Sequence, residues 1–302
     1  MLHLSIGILA HNDEDYVTDL LHSIQAQTVL DFEVIVLDNG STDRTFEFIT
    51  NFQIGFNRFR VLRNFKEPSE SNGMKILLEE AKTPYVAIVH GDDLIKPNYV
   101  EDVNQIIIDH SNFDAITLPI EHFSDSVDLK MIQRKVFSKS NLTSSKLINK
   151  YLICGLNPGV MPGCILKRES VLLNKILDPV PNLNYNFDIV FWTRFARSEM
   201  RLMRSNSKVY LYRRHQQQSS ARPDNDYNLA LARNFNYKEA KTTFEKYLVQ
   251  SATWKESSFA QDRTVYLNNL NKSFESLPSP ILILASLFNF LLRKVSQLLN
   301  KI

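Results

Sequence analysis

Cysteine is scarce: Cys154 and Cys164 are the only two in 302 residues. That count excludes a disulfide framework and a zinc cluster, and it accords with a reducing compartment. Charge of one sign is also lacking, since 35 Lys and Arg against 33 Asp and Glu leave a net charge of +2. A balance so small gives no electrostatic footprint for nucleic acid. No apolar run approaches the roughly 20 residues that span a bilayer. Met1-Leu-His-Leu-Ser5 leads directly into an apolar run, without the basic region and long apolar core of a signal peptide, so a cytoplasmic setting is expected. Internal repeats and low-complexity segments are missing. No Gly-x-Gly-x-x-Gly follows the first apolar run, and no Gly-x-x-x-x-Gly-Lys-Ser/Thr occurs, which removes the dinucleotide fingerprint and the phosphate loop. Ordinary apolar and charged contents of 44% and 23% leave a globular chain able to bury a core.

What is present is an alternation of short apolar runs and helical spacings. Leu4 to Ala10 reads as a strand and stops at His11-Asn12-Asp13-Glu14-Asp15. Val17, Leu20, Leu21 and Ile24 recur at helical spacing, which puts the preceding acids in a first helical turn, where the dipole favours them. Phe32 to Leu37 reads as a second strand, ending at Asp38-Asn39-Gly40-Ser41-Thr42-Asp43. The pattern then predicts a helix over 45–52, a strand over 59–62 and a helix through Met74, Leu77, Leu78 and Ala81. A strand over 85–89 and a helix through Val100, Val103, Ile106 and Ile107 follow. Such alternation implies a parallel sheet covered by helices.

The strand over 85–89 runs into His90-Gly91-Asp92-Asp93. In an open α/β sheet, ligands bind outside the carboxyl ends of the strands. Two adjacent acids there repel each other, and a divalent cation with oxygen ligands, Mg²⁺ or Mn²⁺, relieves the repulsion. Gly-Asp-Asp with a following Pro97 is equally turn chemistry, and this stretch alone leaves both readings open. Taken singly, Asn12 and Asp13 read as helix caps and 38–43 as a plain turn. Polar clusters at three strand ends, facing one edge of one sheet, point instead to a ligand.

In this order and spacing, the elements resemble the nucleotide-binding part of family 2 glycosyltransferases, which have the GT-A fold. Ala10-His11-Asn12-Asp13-Glu14 follows the first strand as in that family. Asp38-Asn39-Gly40-Ser41-Thr42-Asp43 stands for Asp-Asp-Gly-Ser-Thr-Asp, and Ser71-Asn72-Gly73 for an Asn-containing helix start. His90-Gly91-Asp92-Asp93 takes the place of an Asp-x-Asp-Asp element. Further on, Asp188, Trp192 and Arg194 fit a helix start bearing Glu-Asp, an aromatic residue and an Arg. Tyr212-Arg213-Arg214-His215 fits a Tyr-Arg-x-His element with a following Ser. His90 and Phe187 depart from the pattern, standing where an Asp and a Glu are usual. The recognisable match runs from Leu4 to Ser220.

The resemblance implies an α/β chain of GT-A type: a mostly parallel nucleotide-binding sheet flanked by helices, with a C-terminal helical extension. Residues 1–222 would form the GT-A domain, 1–120 its nucleotide-binding half and 121–222 its acceptor half, followed by a helical region over 223–302. The implied activity is that of an inverting glycosyltransferase. It would move a sugar from a nucleotide-diphosphate sugar, UDP-linked, to a hydroxyl of a saccharide or lipid-linked acceptor, in cell-surface polysaccharide synthesis. Ala10, Asn12, Asp38, Asn72, Asp92, Arg213 and Arg214 would bind the nucleotide sugar, with Asp38 at the base or ribose. Asp92, Asp93 and His215 would hold Mn²⁺ or Mg²⁺, and Asp188 would be the catalytic base. Read from the residues alone, Asp188 ahead of Ile189-Val190-Phe191 is also an N-cap, and 213–215 is also a solvated basic loop. Two other functions compete with the implied activity. A sugar-phosphate nucleotidyltransferase wants a Gly-rich basic loop where the acidic 11–15 stands. A non-catalytic GT-A domain that binds a partner is compatible with the departures at His90 and Phe187.

Between Phe123 and Leu156, Ser, Lys and Asn are frequent, and loop plus a short helix is expected. Pro158 to Arg168 reads as a turn leading into a strand, with Cys164 a buried structural thiol. Residues 226–250 are charged and periodic, as in an outer helix. After Pro278-Ser279-Pro280, Leu284, Leu287, Phe288, Leu291, Val295, Leu298 and Ile302 form one stripe of an amphipathic helix over 281–302. That stripe would pack on its own domain or a second copy, or lie in a membrane interface with Arg293, Lys294 and Lys301 near anionic headgroups. The membrane reading would place the protein at the inner face of the cell membrane.

Overall fold

All seven residues of β1 (Leu4–Ala10) are buried, as are all six of β2 (Glu33–Asp38) and all of β4 (Tyr85–His90) except His90. Strands covered on both faces belong inside a parallel sheet with helices on either side. β1 lies between the other two and runs parallel to both, with Ala10 opposite Asp38 and Leu9 opposite His90. This register brings three carboxyl ends level and sets their following loops side by side.

The computed structural model describes residues 3–52, 58–110, 112–124, 140–143, 148, 159, 161–180, 183 and 187–215. Between the first three interior strands come α1 (Val17–Gln25), α2 (Thr45–Asn51), β3 (Phe59–Arg63) and α3 (Glu70–Glu80). Beyond β4 come β5 (Leu94–Ile95), α4 (Tyr99–Asp109), β6 (Ala115–Thr117), β7 (Ile120–Phe123), β8 (Ser140–Thr143) and β9 (Ile165–Lys167). α5 (Arg168–Leu173), α6 (Phe187–Arg197), β10 (Leu202–Ser205) and β11 (Tyr210–Arg213) complete the described elements. The large sheet has the order β3-β2-β1-β4-β9-β6-β10-β8, in which β9 and β8 run antiparallel to their neighbours. A second sheet has the order β5-β11-β7. The chain divides into two compact units. Residues 1–143, 159–179 and 200–216 form the first, which carries both sheets; 144–158, 180–199 and 217–302 form the second, which contains α6.

The first unit's core is built from the interior strands together with Val17, Leu20, Leu21 and Ile24 of α1 and Val100, Val103, Ile106 and Ile107 of α4. Fully burying one such side chain is worth about 1.5–3 kcal/mol, so four on one face suffice to fix each helix on the sheet. Cys164 is wholly buried, and burial pushes its thiol up, as suits a structural residue. Among the described residues, no helix is long and apolar enough to cross a membrane.

At the amino end of the sheet, Glu33 is buried and accepts hydrogen bonds from Ser5 Oγ at 2.7 Å, Arg60 Nη2 at 3.0 Å and the Lys82 N–H at 3.1 Å. Burial alone would raise this carboxyl, but the bonds from Ser5, Lys82 and Arg60 outweigh it and hold the group below its ordinary range. A depressed carboxyl stabilises the fold fully above the unfolded value and loses that contribution as pH falls through the folded one. Glu33→Gln is therefore expected to lower stability by about 2 kcal/mol at pH 7. Urea titrations of both proteins should converge as the pH is taken below about 4.3, the unperturbed glutamate value.

Several sequence expectations change. The third strand extends through Arg63, because its backbone stays paired with Asp38. Asp13, Glu14 and Asp15 precede α1, leaving Asp19 as the acid of its first turn. The expected loop over 123–156 contains β8, which pairs with β10 where alternation is too short to read. Asp188 lies inside the first turn of α6, rather than ahead of it as a cap. The segments at 226–250 and 281–302 lie outside the described residues.

Candidate active site

The three level strand ends are stitched together through their loops. Ala10 O accepts the Asn39 N–H at 2.8 Å, and His11 Nδ1 lies 2.9 Å from Asn39 O. Asn12 adopts φ +56, a left-handed conformation that Asn tolerates, and in it Oδ1 accepts the Thr42 N–H at 2.8 Å. The Asn12 N–H donates to Ser41 Oγ, and the Asp13 N–H to Thr45 Oγ1. Asn12 and Asp13 thus brace the loop after β2 instead of capping α1, which has no side-chain cap. Asp38 is wholly buried: Oδ1 accepts the Ser41 N–H at 3.1 Å and Oδ2 the Arg63 Nε–H at 2.7 Å. Arg63 is held between the rings of Phe46 and Phe65, each 4.1 Å away, so Asp38 carries a ring–cation–ring stack at the sheet edge. Asn72 sits at the start of α3, its N–H donating to Ser69 Oγ and its Nδ2 to Glu67 O.

The loop after β4 holds the acid pair. Gly91 leaves room for Asp13: a Cβ there would lie 2.1 Å from Asp13 Oδ2. Asp92 Oδ2 lies 2.9 Å from His215 Nε2, and the His215 ring packs on Tyr16 with centroids 4.5 Å apart. Asp93 is wholly buried, accepting Tyr210 Oη–H at 2.7 Å and the Arg213 N–H at 2.9 Å. Burial, then the Asp92 charge, push the Asp93 carboxyl well up, and burial pushes the Tyr210 phenol up as well. Tyr212, on the same face of β11, is pushed up to about 12 by burial, then by Asp93 and Asp92.

Arg213 is buried and works as a clamp. Its Nε donates to Asp92 O at 2.8 Å, its Nη2 to Asp19 Oδ2 at 3.1 Å, and its guanidinium lies over Tyr16 and Phe123. Arg214 is exposed, with Nε 3.2 Å from His122 Nδ1. The sequence gives no sign of the pillar beneath the acids. Gly163, at φ +76, passes so close to the Tyr210 ring that a Cβ would lie 2.6 Å from it. Only glycine combines that conformation with that approach. Tyr16, Asp19 and Tyr210 likewise carry no motif that marks them as parts of the site; the Tyr-x-Tyr alternation of β11 is the one local signal for Tyr210.

A ring nitrogen of His90 and one carboxylate oxygen each of Asp92 and Asp93 lie within 4.8 Å of one another. Two carboxylates and an imidazole fit a divalent cation, and a cation would offset the repulsion that raises Asp93. His90 Nε2 and His215 Nδ1 are shut off from solvent without a hydrogen-bond partner among the described residues. Burial lowers the His90 imidazole, opposed by the Asp92 charge, which favours the neutral form that ligates metals. His215 meets the group through Asp92.

Asp188 belongs to the second unit, in the first turn of α6, with Oδ1 accepting the Ile189 N–H at 2.9 Å. Phe187, Val190, Phe191, Trp192 and Phe195 are buried, and Thr193 Oγ1 donates to Ile189 O, so the helix that carries Asp188 is firmly set.

Comparison with known proteins finds that the model of "Glycosyl transferase family 2" matches residues 5–173. Glycosyltransferase GlyG of Streptococcus pneumoniae is 30% identical over 102 residues, 34% of this chain and 34% of that protein. Poly(ribitol-phosphate) beta-N-acetylglucosaminyltransferase TarS of Staphylococcus aureus is 26% identical over 164 residues, 52% of this chain and 27% of that protein. The chain thus spans about a third or less of the length of these relatives. The crystal structure of S. aureus TarS 1-349 in complex with UDP-GlcNAc superposes with a TM-score of 0.67 at 18% identity, covering 95% of this chain and 89% of that one. That likeness is one of fold, the GT-A type.

Proposed function

Because the chain belongs to glycosyl transferase family 2, with over half its length matched, we propose that it is an inverting glycosyltransferase that uses a UDP-linked sugar and a divalent cation. The observation that carries this reading is the group of His90, Asp92 and Asp93 at the carboxyl end of β4, level with the ends of β1 and β2. Loops at that edge of a parallel sheet are where a nucleotide is held. The TarS complex with UDP-GlcNAc, of the same fold, supports UDP as the carrier. The activity for which TarS is named, transfer of N-acetylglucosamine to poly(ribitol-phosphate), supports a cell-surface polymer, or its lipid-linked precursor, as acceptor.

The chemistry divides between two places in the chain. Asp188 takes the proton from the acceptor hydroxyl as its oxygen bonds to the anomeric carbon, and the bond from that carbon to the diphosphate breaks. When bound, the cation stabilises the charge that develops on the leaving diphosphate. Asp92 and Asp93, with His90 or His215, would hold it, and Arg214 would add a forked donor for phosphate. Ala10, Asn12, Asp38 and Asn72 set the walls of the nucleotide pocket, Asp38 acting through the Arg63 it holds.

Thermal unfolding with UDP, UDP-sugars, GDP and CMP, with and without Mn²⁺, tests the donor. A uridine nucleotide at 100 times its Kd should stabilise the chain by about 2.7 kcal/mol, and only with the cation present. No response to any nucleoside diphosphate would sink the reading, as would pyrophosphate release from a sugar phosphate and UTP. The stripe over 281–302 is proposed to contact an anionic membrane surface, where a lipid-linked acceptor resides. Vesicle flotation should then drop on removal of those residues; unchanged flotation overturns that part alone.

A further inference from the structure

The family pattern has an acid where this chain has His90, and the surroundings of that imidazole indicate what it does. Its backbone N–H is turned to Tyr210 Oη at 3.4 Å. Its Nε2 is enclosed without a hydrogen-bond partner among the described residues, and a ring nitrogen lies within 4.8 Å of oxygens from both Asp92 and Asp93. Enclosed polar atoms are nearly always bonded, so an unpartnered nitrogen points to a bound group; His215 Nδ1 is enclosed in the same way, but only the His90 ring also brings a nitrogen within reach of both carboxylates. We propose that His90 is a nitrogen ligand of the cation in the donor site, and that this donor set makes the site select Mn²⁺ over Mg²⁺. The inference rests on the reading of Asp92 and Asp93 as a cation site.

The competing imidazole is His215. Its Nε2 is already 2.9 Å from Asp92 Oδ2, and its ring is stacked on Tyr16. In that arrangement it orients a carboxylate from outside, as groups behind metal ligands commonly do. Mg²⁺ takes oxygen ligands in a near-ideal octahedron and keeps several waters. First-row transition ions bind mixed nitrogen and oxygen sets more readily, with affinity rising from Mn²⁺ onward. An aspartate at position 90 would return the site to oxygen alone.

Pulsed electron paramagnetic resonance on the full chain with Mn²⁺ and UDP reads directly coordinated nitrogen. The expected result is histidine nitrogen modulation in the unsubstituted protein and in His215→Ala, and its loss in His90→Asn. His90→Asp should lower the ratio of Mn²⁺ to Mg²⁺ affinity, because an oxygen ligand replaces the nitrogen one. If the His90 variants do not fold, labelling the unsubstituted chain and His215→Ala with ¹⁵N-histidine carries the test, since the ¹⁴N pattern must vanish in both. Bound Mn²⁺ without histidine coupling overturns the inference and leaves the cation site standing. So does coupling that disappears in His215→Ala and survives in His90→Asn. Absence of Mn²⁺ binding overturns the cation site and the inference together.

Discussion

Asp188→Asn should cut sugar transfer by about 10²–10⁴-fold, the range that general-base catalysis contributes, while donor affinity stays within about twofold. Asparagine has nearly the shape of aspartate and can still accept the Ile189 N–H that Asp188 Oδ1 holds at 2.9 Å. It cannot take a proton from a hydroxyl at neutral pH. Helix α6 is fixed by buried aromatics, with Phe191 edge-on to Trp192 at 4.9 Å and Trp192 edge-on to Phe195 at 5.3 Å. The substitution is therefore local, and calorimetric titration with UDP and Mn²⁺ should barely distinguish the two proteins. Acceptor-dependent release of UDP is the readout for the reaction itself. A variant that transfers at the unsubstituted rate would remove Asp188 from the mechanism and turn attention to another acid.

Arg213→Ala should act on stability and on the donor site at once. One guanidinium ties Asp92 O to Asp19 and fills the space between Tyr16 and Phe123. Asp19 is about half exposed, so its ion pair contributes little. The cost comes from the unsatisfied Asp92 carbonyl and the lost packing, about 2–4 kcal/mol together. For a chain of this size that corresponds to a fall in Tm of about 3–6 °C. The Arg213 backbone N–H to Asp93 survives the substitution, so the acid pair should loosen without dispersing. KM for the donor should then rise more than kcat falls. Equal loss in both, with Tm unchanged, would show that Arg213 touches the reacting group and does not support the loop.

The parts of this architecture legible in the sequence are those set by burial on both faces. β1, β2 and β4 are continuous apolar runs, and their polar ends, Asn12, Asp38 and His90, are where the pattern breaks. Those runs, with the helices between them, were enough for the fold class and for the family. Short edge elements were not legible. β8 and β10 pair over four residues each, too few for alternation to register, and β5 is two residues long. Side-chain partners far apart in the chain were hidden too. Nothing near Asp93 announces Tyr210, and nothing near Arg213 says that its guanidinium faces Asp92 O instead of solvent. Nor does anything near Asp38 announce its partner Arg63.

The contacts under the acid pair link positions 117 to 123 residues apart: Tyr210 with Asp93, Arg213 with Asp92 and Asp93, and His215 with Asp92. Bringing such distant segments together costs loop-closure entropy that local contacts do not. A growing chain that has emerged only through β4 and β5 already carries both carboxylates, yet has none of the bonds that hold them. On the proposed reading of the acid pair, donor binding would therefore wait for β11, since most of the first unit must be made before the two acids are set in place.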